Sequence, residues 1–125
     1  MGMLGEWEEA KSEEEFLAFV KERMKTDCIR HTQLLGKEIK KVAVLGGSGS
    51  FAIKAAISAG AQAFITSDLK YHEFYQAEKR ILLADIGHYE SEQFTKELLV
   101  SLLSKKISKF AIVLSQVNTN PITYY

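Results

Sequence analysis

From Val42 onward the chain repeats one unit: a short apolar run, a turn rich in glycine or aspartate, then a stretch with helical spacing. No other feature constrains the fold as much, because strands joined through helical crossovers lie parallel, with right-handed connections. Val42, Val44 and Leu45 lead into Gly46, Gly47, Ser48 and Gly49 and an alanine-rich helix over residues 51–59, stopped by Gly60. A strand over 63–66 leads through Ser67 and Asp68 into a helix over 70–79. A strand over 81–86 ends at Gly87 and His88 and is followed by a long helix over 91–105, and residues 110–114 read as one more strand. These runs lack apolar–polar alternation, as expected of strands covered on both faces. Upstream, Ser12 and Glu15 have capping-box spacing ahead of Phe16, Leu17, Val20 and Met24, which predicts a helix over 13–25. Residues 28–32 and 41–45 read as strands. The expected architecture is α/β: a mixed, largely parallel sheet with flanking helices in a single domain over 1–125. Its core lies in 40–125, with an N-terminal helix and strand in 12–35.

A length of 125 residues fits one such domain. Sixteen Lys and Arg balance sixteen Asp and Glu, which argues against capture of nucleic acid or of an anionic membrane by bulk charge. The lone cysteine, Cys28, cannot form an internal disulfide and points to a reducing compartment. The acidic start has no signal-peptide pattern, and no apolar run is long enough to span a bilayer, so the reading is a soluble, cytoplasmic protein. Cys28 is expected as a small buried residue in a strand rather than a nucleophile. Trp7 is expected to pack on the sheet or on the first helix.

In a parallel sheet, functional groups collect at the carboxyl ends of the strands, and three polar clusters fall there. Gly47, Ser48 and Gly49, followed by Ala52 and then Asp68, satisfy a dinucleotide-type fingerprint in which the turn faces a phosphate; a tight structural turn explains the glycines equally well. Asp68 and His72 stand four residues apart at a helix start, where Asp68 by itself reads as an N-cap. His88 and Glu92, also four apart, would share a helix face with Cβ atoms about 6 Å apart, close enough to hold one divalent ion. Spacing alone leaves two readings of that pair open, metal ligands or acidic decoration of a helix N-terminus.

The run Ala84-Asp85-Ile86-Gly87-His88-Tyr89-Glu90-Ser91-Glu92 resembles the C-terminal signature of the Nif-three-like dinuclear metal centre family, whose members are often labelled GTP cyclohydrolase 1 type 2 homologues. Residues 42–49 resemble that family's strand and glycine turn. The segment Thr66-Ser67-Asp68-Leu69-Lys70-Tyr71-His72 resembles its Thr-Gly-Asp…His stretch, with Ser67 where glycine is usual, and Ser115-Gln116-Val117-Asn118-Thr119-Asn120-Pro121 its closing motif. The resemblance implies that His88 and Glu92 are metal ligands, with Asp68, His72 and Asp85 beside them. It also implies a paired His-His and an Asp from an N-terminal half, which are not found here; His31 stands alone. The expectation is therefore half of a two-lobed fold carrying an incomplete site for a divalent metal (zinc, manganese or iron(II)), held weakly or not at all by this chain alone. The expected partners are further copies of the chain or the missing N-terminal half, together with a small-molecule substrate of unidentified class. The competing readings are a non-catalytic oligomerisation or binding module, with Phe74, Tyr75, Tyr89, Phe94, Tyr124 and Tyr125 as contact residues, and a nucleotide-binding domain.

Overall fold

A computed structural model describes residues 2–125. Five strands form one sheet: β1 (Met3–Lys11), β2 (Arg30–His31), β3 (Ile39–Ser48), β4 (Ala63–Ser67) and β5 (Leu82–Asp85), in the spatial order β1-β3-β4-β5-β2. The three central strands run parallel, and β1 and β2 close the two edges antiparallel to β3 and β5. The helices are α1 (Glu13–Met24), α2 (Ile53–Ser58), α3 (His88–Glu92) and α4 (Thr95–Lys106), with 3-10 turns at Ser50–Ala52 and Tyr71–Ala77. The mixed α/β sheet expected from the alternation is the fold observed.

Successive side chains along β4 and β5 point to opposite faces, and both faces are covered. Phe64 and Leu83 pack with Ile53, Ala56, Leu69 and Ala77 beneath α2 and the Tyr71–Ala77 turn. Ala63, Ile65 and Leu82 pack with Phe16 and Val20 of α1 on the other side. That two-sided burial explains the unbroken apolar runs. Helix α1 begins at the expected capping box: Glu15 N donates to Ser12 Oγ at 3.2 Å and Ser12 N to Glu15 Oε2 at 2.9 Å. Glu13, almost fully buried in the first turn, accepts from the amides of Leu35 (2.9 Å) and Gly36 (2.8 Å), tying the loop before β3 to the helix. Trp7 meets Phe16 and Phe19 of α1 edge-on, with centroids 5.7 and 5.3 Å away, as its expected role requires.

Several local expectations fail. Cys28 is exposed and lies outside any strand. Thr26 Oγ donates to the Cys28 and Ile86 carbonyls, tying this loop to the chain just past β5, and strand pairing starts only at Arg30. Residues 110–114 form no strand; Phe110 and Val113 are exposed and find no pairing partner. Where an α-helix over 70–79 is expected, Tyr71–Ala77 form a 3-10 turn, and the long helix over 91–105 is two helices broken between Glu92 and Thr95. Strand β1 carried no sequence signal, because it is an edge strand held by backbone pairing with most side chains in solvent.

Candidate metal pair at the carboxyl end of the sheet

The three polar clusters converge where β3, β4 and β5 end. Gly87, at φ +92°, turns the chain from β5 into α3 and so places His88 at the first helical position. Asp68 lies just past β4 in the left-handed region at φ +58°, a conformation Asp tolerates better than most residues. That kink buries Leu69 in the core and frees the Asp68 carboxylate to meet His88 Nδ1 at 2.6 Å. Asp68 is thus the partner of His88 and not a helix cap. The other ring nitrogen, Nε2, lies 3.5 Å from Glu92 Oε2 one helical turn on. All three side chains are about half exposed. The hydrogen bond that His88 donates to Asp68 pushes the His88 pKa above its ordinary value, opposed by partial desolvation and helped by the charges of Asp68 and Glu92.

Gly47 makes room for the pair. A Cβ there would lie 2.7 Å from Glu92 Oε1 and 3.6 Å from His88 Nε2, and its φ of +68° favours glycine in any case. Its N–H is donated to Ser91 Oγ at 2.8 Å, and Ser91 in turn donates to the His88 carbonyl. The turn of Gly47, Ser48 and Gly49 therefore presents a carboxylate neighbour at Gly47 and has spent that amide. At Gly49 a Cβ would collide with Thr66, so this glycine serves close packing.

Asp85 does not touch His88. Its Oδ1 accepts from Gly87 N at 3.1 Å and its Oδ2 from Leu69 N at 3.0 Å and Arg30 Nη1 at 3.1 Å. One buried carboxylate thereby clamps the two backbone turns that carry His88 and Asp68. His72 stays outside the group: it is exposed in the 3-10 turn and, among the described residues, bonds to none of Asp68, His88 and Glu92. Sequence reading gave no role to Ser91 or to the buried Glu90, which accepts from Asn120 Nδ2 at 3.2 Å and ties the tail to α3. The only hint was that both sit inside the signature run. Tyr124 approaches Gly87 from the same tail, and burial, then the Glu90 charge, pushes its hydroxyl pKa up. His88 and Glu92 open on a cavity of about 630 Å³ that α4 and residues 115–122 complete, with Lys96, Leu99 and Val117 in its wall.

Among the described residues no three His, Cys, Asp or Glu side chains gather around a position for a metal ion; His88 and Glu92 are two donors that a divalent ion could share. Histidine ligands characteristically give their second nitrogen to a carboxylate, which fixes the tautomer and raises basicity, as Asp68 does here. Two donors about 2.1 Å from a tetrahedral cation lie roughly 3.4 Å apart, close to the observed Nε2–Oε2 separation.

Residues 1–121 match the family model described as Duf34/NIF3 (NGG1p interacting factor 3). The chain belongs to the NIF3 family. A GTP cyclohydrolase 1 type 2 homolog of Staphylococcus epidermidis is similar, with 35% identity over 129 residues covering 99% of this chain and 35% of that protein. The crystal structure of Staphylococcus aureus protein SA1388 superposes with a TM-score of 0.86 at 28% identity, over 100% of this chain and 42% of its own. The Bacillus cereus protein related to NIF3 gives 0.83 at 28% identity, over 100% of this chain and 36% of its own. The chain thus spans about a third of the length of the curated relatives it matches. Among its described residues no helix is long and apolar enough to cross a membrane.

Proposed function

We propose that this chain contributes part of a divalent-metal centre, with His88 Nε2 and a Glu92 oxygen as ligands and Asp68 holding the proton of His88 on Nδ1. The observation that carries this reading is the arrangement of one imidazole between two carboxylates, Asp68 on Nδ1 and Glu92 facing Nε2, open to a cavity. Two donors underfill any coordination shell, so further ligands come from water, a second copy or the remainder of a longer chain. Zinc, manganese and iron(II) all accept an imidazole and a carboxylate. A bound divalent ion supplies Lewis acidity and lowers the pKa of a coordinated water to about 7, the chemistry of metal-dependent hydrolysis. Calorimetric titration of each metal into the wild type and His88→Ala tests the reading. One weakly held ion, lost on substitution, is expected; two tightly held ions, or affinity unchanged by His88→Ala, contradict it.

A second reading has its own observation. Helix α4 has no buried residue, and Leu98, Leu99, Leu102 and Leu103 are 41–59% exposed. A leucine face of this kind belongs to an association surface, and we infer a role in assembly that accompanies metal binding. Light scattering checks it: self-association reduced by Leu98→Ser and Leu102→Ser together, and indifferent to chelator, is expected.

A further inference from the structure

Asp85 also links the metal pair to a second cavity, of about 660 Å³, at the opposite end of its hydrogen-bond set. Arg30 of the edge strand stands in its wall and is held on three sides. Nη1 reaches Asp85 at 3.1 Å, Nη2 reaches the Leu69 carbonyl at 2.9 Å, and the guanidinium lies 5.1 Å over the Phe74 ring. A guanidinium has five N–H donors, so donors remain on a group whose orientation is already fixed.

The rest of the wall mixes aromatic and aliphatic side chains with a few polar and charged ones. Tyr71 and Tyr75 are 77% and 68% exposed, meet edge-on at 5.6 Å and share a hydroxyl hydrogen bond of 2.9 Å. Two large exposed rings beside a cavity are a binding feature more than a packing one. Glu78 and Lys79 are both left-handed, at φ +49° and +55°, a conformation that non-glycine residues enter at a cost and that gathers at functional rims. Glu78 is paired with Arg80, whereas Lys79 has no acidic partner among the described residues. With Asp85 balancing Arg30 and Arg80 balancing Glu78, Lys79 is the charge left uncompensated at the wall.

We propose that this cavity binds a small planar aromatic molecule carrying a phosphate or carboxylate, its ring against Tyr71 and Tyr75 and its anion on Arg30 and Lys79. The volume lies within the range of small-molecule sites. Neither half of such a ligand suffices: the ring finds faces for stacking, and the anion finds two cations of which one is preoriented.

The test uses the intact chain in the presence of EDTA, so the result is independent of the metal proposal. 1-Naphthyl phosphate and 2-naphthoate are titrated while NMR follows backbone and aromatic signals, with 1-naphthol and inorganic phosphate as separate arms. Saturable binding of either anion, at least tenfold tighter than both arms and with shifts at Arg30, Tyr75 and Lys79, is expected. Tyr75→Ala and Lys79→Gly should each weaken it fivefold or more. Both sites are exposed, and the glycine relieves the left-handed strain, so the loss is separable from unfolding. No saturation at millimolar ligand, shifts confined to the α4 leucines, or unchanged affinity in both variants would overturn the proposal.

Discussion

The body of the sheet and the C-terminal segment treat the same kinds of residue in opposite ways. In the body, Phe64, Leu82 and Leu83 lose essentially all contact with solvent between helices on both faces. From Thr95 onward leucine and valine are no rarer, yet Phe110 and Val113 stay at least three-quarters exposed. Composition alone does not make a core; a residue is buried only where a second surface faces it. The His88–Glu92 pair sits at the junction, on α3, with the sealed sheet on one side and the loosely covered α4 and tail on the other.

The contrast breaks most visibly under truncation. Phe64→Ala should cost about 3–5 kcal/mol in urea denaturation, whereas Phe110→Ala should stay within about 0.5 kcal/mol. Comparable costs would mean that the tail is part of the cooperative core. The next largest effect is at Asp85, where Asp85→Ala strands the amides of Leu69 and Gly87 and should cost about 2–3 kcal/mol. The same substitution should disorder His88 and Asp68, readable as lost chemical-shift dispersion at both. Gly47→Ala should cost about 1–2 kcal/mol for its left-handed backbone and push Glu92 away from His88, so metal affinity falls further than stability does.

The smallest effect is a pH dependence. The folded-state pKa of His88 is raised, so its pairing with Asp68 stabilises the protein fully below about pH 6.5, the unfolded value. That contribution is lost as pH rises through the higher folded value. With both groups half exposed the amount is small, and it should show as a wild-type advantage over Asp68→Asn at pH 6 that shrinks by pH 9. An advantage that grows with pH would reverse the assignment.

The parallel core was legible because its strands are buried on both faces, which leaves continuous apolar runs such as Ala63, Phe64 and Ile65. Strand β1 was not, since edge pairing is a backbone property with no side-chain period. The run at 110–114 misled in the other direction: β-branched and aromatic residues announce a pleated surface in need of cover, not the presence of that cover. At the site, the four-residue spacing of His88 and Glu92 was readable, whereas Asp68 facing His88 from twenty residues away depends on a left-handed residue that spacing cannot reveal. His72 looked equivalent to Asp68 in sequence, but the 3-10 turn leaves it exposed and, among the described residues, bonded to neither His88 nor Glu92.

Long-range proton–nitrogen NMR of the histidine rings, recorded before and after addition of zinc, tests the central claim most directly. His88 should keep its proton on Nδ1, toward Asp68, while Nε2 moves to a metal-bound shift and His31 and His72 stay unchanged. Zinc seen at Nδ1 of His88, or first at His72, or at no ring nitrogen, would contradict the account.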